Sequence, residues 1–200
     1  MNDIIRPGAG VLFMKVGTHA QEDLDEIILR KTREIEEAGF GMWGYGGGTC
    51  HPRSMVQPFA SSFEARNEPI HLVMETMDSR HQADPIRADQ FSVDGVSWED
   101  IHPDINVLGS RYALVIRNLQ RCEMELPLDQ TQVPVGPSTG RIGSRYLRGR
   151  VDKACLEVLD RPEAVNEGTP RIVRISLVAE LQAPFAVLLR NSPGQPVGSD

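Results

Sequence analysis

Trp43 and Tyr45 sit among five glycines in the run from Phe40 to Pro52, with His51 near its end. Glycine allows positive φ and lets another molecule approach the main chain. Two flat rings on such a segment read in two ways. Either Trp43 plugs the core and the glycines only make a turn, or the rings form a platform on which a base stacks, a mode worth about 1–3 kcal/mol per base. Trp98 could supply a second wall if the fold unites it with Trp43. His51 would then be a polar lining of the same loop.

A second candidate runs from Gly140 to Arg150 and interleaves Arg141, Arg145, Arg148 and Arg150 with glycine and Tyr146, with no acid among them. A guanidinium presents a fork of donors to phosphate and stacks on rings. The segment is either a solvated basic loop balancing acidic neighbours or a phosphate clamp. In the second case Arg145, Arg148 or Arg150 contacts phosphate, and Ser138, Thr139 and Ser144 add hydroxyl donors.

Other residue sets carry less chemistry. Gly44 to Gly48 follows a helix, and no Gly-Lys-Ser/Thr is present, so a phosphate loop of the usual kind is disfavoured. Cys50 and His51 are sequence neighbours, and thiol catalysis needs contact in space with an orienting third group. The histidines lack the short spacings of zinc ligands. Nothing places any two of Glu75, Asp94, Glu99 and Asp100 in a shared apolar pocket that would separate their pKa values. No catalytic residue is assigned, and no metal or cofactor is expected.

The elements that must position these residues follow from periodicity. Gly10 to Val16 is a nearly continuous apolar strand. Thr18 to Gln21 matches a capping box, and Leu24, Ile27, Ile28, Ile35 and Ala38 share a helical face that Gly39 stops. Met55, Phe59 and Phe63 suggest a shorter helix with Pro58 in its first turn or before it. Strands are expected from Ile70, around an Asp94-Gly95 hairpin, at Ile105–Leu108, Arg111–Arg117, Cys122–Leu128, Arg171–Leu181 and Ala186–Leu189. Val151–Leu159 fits helix or strand. Most strands come late, which suggests an α+β fold: a mostly antiparallel sheet, curled toward a small barrel, with one long and one short helix outside. We expect a single domain over 1–191, with 133–150 either a linker or a mobile functional loop, and a disordered tail at 192–200.

Composition bounds the function. The chain has 200 residues and a formal net charge of -7, which argues against coating duplex DNA but leaves room for one nucleotide or a short single strand. No apolar run is long enough to span a membrane. The start lacks the pattern of a secretory signal, and three scattered cysteines form no framework, so a reducing, cytoplasmic setting is expected.

The order of residues 11–46, a strand containing Phe13-Met14-Lys15, a capped helix and then Trp43 among small residues, resembles the start of the PUA-like superfamily, especially its EVE and YTH branches. The block Phe91-Ser92 to Trp98 is compatible with their middle section. The resemblance implies a small α/β barrel that holds a modified base in an aromatic pocket. It implies Trp43 as the pocket aromatic, Lys15 and Val16 at the strand edge beside it, and Trp98 as a further wall. Beyond about Leu128 there is no counterpart.

The expected function is therefore a binding module for a modified base, a nucleotide or a short single-stranded nucleic acid. Its site residues would be Lys15, Trp43, Tyr45, His51, Trp98, Arg145, Arg148 and Arg150. An enzyme acting on a nucleotide or related small molecule, and a protein-interaction subunit, are the alternatives. No membrane partner is expected, and a homo-oligomer is left open.

Overall fold

The apolar run at the start extends as strand β1 (Gly10–His19). In the computed structural model, which describes residues 3–46, 52–81, 85–149, 151–160, 171–191 and 195–196, the elements then follow as α1 (Leu24–Ala38), β2 (Gly41–Gly46), α2 (Arg53–Glu64), β3 (Ile70–His81), β4 (Gln90–Ser92), β5 (Glu99–Asp100), β6 (Tyr112–Pro127), β7 (Thr131–Gln132), α3 (Gly143–Tyr146), β8 (Lys153–Val158), β9 (Ile172–Asn191) and β10 (Gln195–Pro196). Strands hydrogen-bond in the order β2-β6-β9-β3-β1-β8-β7, with β4 and β10 on β9 and β5 on β4. The chain is thus mixed α and β, and among the described residues this path does not return on itself. No helix among them is long and apolar enough to cross a membrane.

Helix α1 begins later than the Thr18 box suggests. Thr18 is still in β1. Ala20 and Gln21 take positive φ, and His19 and Glu22 exchange backbone hydrogen bonds of 3.0 and 2.9 Å. The cap is instead Asp23, whose Oδ1 accepts from the Glu26 N–H while Glu26 Oε2 accepts from the Asp23 N–H, both at 2.9 Å. Gly39, at φ 80, ends the helix as expected, its N–H donating to the Ile35 carbonyl. In α2, Pro58 lies inside the helix rather than at its start. Lacking an N–H, it leaves the carbonyl one turn back without its helical donor. Val56, Phe59, Ala60 and Phe63 still bury one face.

Several expected strands merge. Those around Arg111–Arg117 and Cys122–Leu128 are the single strand β6, in which Asn118 takes positive φ. Those on either side of Pro184 are the single strand β9, in which Phe185 takes positive φ. Proline and polar residues had marked boundaries, but a local irregularity lets a strand continue past them. Ile105–Leu108 is no strand; Leu108 makes an isolated bridge to Arg87, and Ile105 and Val107 are core residues. Residues 151–159 are settled as strand by β8, which pairs antiparallel with β1 (Val11↔Leu156). At the Asp94-Gly95 hairpin, β4 and β5 pair through Gln90↔Asp100 and Phe91↔Glu99, leaving a loop wider than a two-residue turn. Asp94 braces that loop: its Oδ1 accepts from the Val96 and Ser97 N–H groups at 2.7 Å and from the Ser92 hydroxyl at 2.9 Å. These bonds hold the exposed carboxyl down to about 2.

The chain divides into two compact units. Unit 1 comprises Met1–Lys15, Thr49–Thr76 and Gln120–Glu180; unit 2 comprises Val16–Gly48, Met77–Leu119 and Leu181–Asp200. The core of unit 1 gathers Val11, Phe13, Val73, Leu126, Leu156 and Ile175. That of unit 2 gathers Met42, Ile105, Val107, Val115, Val187 and Leu189. Of the tail expected to be disordered, 195–196 pair with β9, and the rest lies outside the described residues.

The buried face of α1 holds an ionic cluster within unit 2. Lys31 and Glu34 are each nearly sealed, at 3% and 2% exposure. Lys31 Nζ donates to Glu34 Oε1 (3.0 Å), Glu34 Oε2 (2.8 Å) and the Asn106 carbonyl (2.8 Å). Arg30 bridges Glu34 and Glu22, and the Asn106 N–H donates to Glu34 Oε1 at 3.0 Å. Burial drives the Lys31 ammonium down to about 8 against the pull of Glu34.

Two measurements follow. Between about pH 8 and its ordinary value of 10.5, Lys31 is deprotonated when folded but protonated when unfolded, so the unfolded state binds more protons and folding stability rises with pH in that window. The stability of the wild type relative to Lys31→Met, from urea midpoints, should therefore climb from pH 7.5 to pH 10; a flat difference contradicts this burial. Second, a Cβ on Gly44 would lie 2.3 Å from Ser110 Oγ. Gly44→Ala should cost about 1–3 kcal/mol, and adding Ser110→Gly should recover part of it in a double-mutant cycle.

Candidate functional site

Within unit 1, the segment from Val133 to Gly149 is packed structure rather than a linker. The Val133 N–H donates to the Arg141 carbonyl (2.9 Å) and the Gly140 N–H returns to the Val133 carbonyl (2.8 Å), closing the turn between them. Gly140 sits at φ +81, a conformation that side chains resist. Helix α3 then settles onto the turn at Leu128–Gln130. Gly143 allows this contact, since a Cβ there would lie 2.1 Å from Thr131 Oγ1 and 3.0 Å from the Leu128 carbonyl.

Burial alternates along this stretch. Ile142 and Leu147 are buried and anchor it, while Arg141, Arg145 and Arg148 are exposed and Tyr146 is half-buried against the core. Arg171 fixes the frame from behind. Its N–H donates to Asp129 Oδ2 (2.7 Å), and its guanidinium donates to the Ser144 carbonyl (3.3 Å) and the Leu147 carbonyl. Arg148 Nε also donates to the Ser144 carbonyl, at 3.1 Å.

The result is a cleft of about 660 Å³ lined by Arg141, Arg145, Tyr146 and Arg148 together with Gly140, Ile142 and Val151. Among the described residues no carboxylate lines it, and none of these three guanidiniums is in a salt bridge. Two other arginines of unit 1 are paired, Arg6 with Glu68 and Arg66 with Glu157. A second cleft of about 420 Å³ in the same unit has the opposite character, with Glu123, Glu125 and Asp160 beside Ile5, Met124, Val158 and Leu159. Unneutralised, concave positive charge is thus a local property of the α3 segment. Such a site attracts an anion, and the planar forks suit phosphate oxygens.

The aromatic platform takes a different form from the one expected. Residues 41–46 are a strand, not a loop: β2 pairs with β6 through Trp43↔Leu114 and Gly44↔Ala113. Trp43 is 4% exposed and Tyr45 fully buried, with the Tyr45 ring 5.8 Å from that of Tyr112. Both rings are core, so a guest cannot stack on them as they stand. Trp98 is half-buried and already carries a cation on its ring, the Arg190 guanidinium at 4.1 Å. Arg190 is held there by Gln90 Oε1 (2.8 Å), and Gln90 in turn by Asp100 (3.0 Å). These residues belong to unit 2 and Arg145 and Arg148 to unit 1. Lys15, in unit 1, faces Glu75 at 3.7 Å and does not line the arginine cleft. His51 and Arg150 lie outside the described residues, as does Cys50.

Other titratable groups are shifted by burial. Burial raises the Cys155 thiol well above its ordinary value and raises Cys122 as well. His71 stands opposite Glu180 in register, and burial lowers its pKa against the pull of that glutamate. Among the described residues no group of three or more His, Cys, Asp or Glu could hold a metal ion. Arg141 and Tyr146 are the members of the cleft that the expected site left out. Their signal was present, as the first arginine of the run and the one ring inside it.

Comparison with protein-family models, with curated proteins and with solved structures finds no match. The geometry therefore carries the functional argument alone.

Trp43→Ala should behave as a core truncation, costing about 3–5 kcal/mol in urea unfolding. If the folded chain binds a nucleotide, that binding should be unchanged in the variant. A variant as stable as the wild type that has lost binding would restore the stacking platform.

Proposed function

We propose that the chain is a binding module for a nucleotide or a short single-stranded nucleic acid, with the phosphate held at the arginine cleft of unit 1. The observation that supports this is a concave surface bearing Arg141, Arg145 and Arg148 with no carboxylate among the described residues that line it. A guanidinium left without a counter-charge gains most from an ionised acceptor, and a bidentate contact adds geometric selectivity. The size of the cleft lies in the ordinary range for a single small ligand, roughly 300–1,000 Å³. Tyr146 provides the ring that the sequence placed at Trp43.

The PUA-like relationship belongs to this proposal only for the residues that carry it, the strand–helix start through Trp43 and the block from Phe91 to Trp98. Its aromatic pocket does not, because Trp43 is packed inside. Cys50 and His51 lie outside the described residues, and Glu75 faces Lys15.

The test is equilibrium binding of a fluorescent nucleotide and a short labelled oligothymidylate, followed by anisotropy. Binding should weaken as salt rises. The Arg141→Gln/Arg145→Gln double variant should lose about 100-fold in affinity with an unchanged melting temperature, the figure expected for two charged hydrogen-bonding groups. Lys15→Gln should bind like the wild type. Undiminished binding by the double variant would remove the cleft from consideration.

A further inference from the structure

Resting on the anion-binding reading above, we propose that the cleft selects a nucleoside polyphosphate, a compact ligand with several negative charges at one point, over the interior of a nucleic-acid strand. Arg141, Arg145 and Arg148 fall within a single turn-and-helix segment and line one concavity. Their positive charge is therefore concentrated rather than strung out. An interior phosphodiester brings one charge per nucleotide, so a strand crossing this cleft would leave guanidiniums unmatched. A diphosphate or triphosphate brings its charges together and can meet several planar forks at once.

The surroundings act in the same direction. The cleft, at about 660 Å³, accommodates one nucleotide rather than a run of them. A strand long enough to leave it would meet a chain of net charge -7, which repels polyanions at long range. Asp152, the acid next in sequence to the cleft residue Val151, is engaged by Lys153 at 3.1 Å, and Asp129 is engaged by the Arg171 N–H. Neither stands among the lining residues. Tyr146 is the one aromatic in that lining, which supplies a surface for the base and separates a nucleotide from a bare polyphosphate.

The experiment is isothermal titration of the full chain, without divalent cations, against adenosine, AMP, ADP, ATP and inorganic triphosphate. A hexanucleotide is added in 5′-hydroxyl and 5′-phosphorylated forms. Affinity should rise at least about tenfold from AMP to ATP, adenosine should not bind, and both hexanucleotides should bind more weakly than ATP. Arg145→Gln should flatten the series. Tyr146→Leu should weaken ATP while leaving inorganic triphosphate unchanged; because that ring also touches the core, its melting temperature is recorded, and Arg141→Gln serves as a second cleft variant. Should both hexanucleotides bind equally and more tightly than ATP, the preference for polyphosphate is overturned while the anion site stands. Should no phosphate compound bind, or should Arg141→Gln and Arg145→Gln change nothing, the underlying reading fails as well.

Discussion

Among the described residues, Arg141, Arg145 and Arg148 share one cleft on unit 1, and no carboxylate lines it to balance them. That electrostatic imbalance is what any account of this chain must explain. Unit 2 shows the ordinary treatment of the same residue types. There Arg30 and Lys31 are gathered with Glu22 and Glu34 into a closed set, with the Asn106 backbone completing it. Buried charges are tolerated in proteins when paired and hydrogen-bonded. The arginines of the α3 segment are exposed instead and are given a concave frame. Ile142 and Leu147 fasten that frame to the core, Gly143 lets it settle onto the Leu128 turn, and Arg171 locks its carbonyls. Holding the backbone of a basic segment this firmly lowers the ordering cost of binding.

The aromatic residues illustrate how context decides the fate of a side chain. Trp43 and Tyr45 belong to a strand whose two faces are both covered, so their large apolar surfaces serve packing. Burying an aromatic ring of this kind removes roughly 150–250 Å² from water. The glycines beside them serve closeness more than mobility. Gly44 is pressed against Ser110, and Gly41 against Ile35 and Ile116. Trp98 keeps partial exposure, yet its ring is engaged by Arg190.

Much of the local structure could be read from the sequence where one signal dominated. The apolar run of β1 and the Gly39 stop of α1 are examples. Readings failed where two signals competed. Thr18 to Gln21 matches a capping box, but the strand runs on through His19 and the positive φ of Ala20 and Gln21 moves the cap to Asp23. Lys31 and Glu34 lie on the same helical arc as Ile27, but their charge masked their burial. Residues 41–46 looked like a loop because strand pairing with β6 is a long-range fact that no local window contains. Residues 133–150 read as either a linker or a mobile functional loop for the same reason, since Val133, Ile142 and Leu147 find their core only after folding.

The most direct test of the account watches the guanidiniums themselves. Nitrogen-15 spectra of the arginine Nε–H groups and the tryptophan indoles can be followed while ATP is added. The account expects the Arg141, Arg145 and Arg148 resonances to shift together and saturably, with the Trp43 indole unmoved. Saturable shifts confined to the indoles, with the three arginines silent, would contradict it.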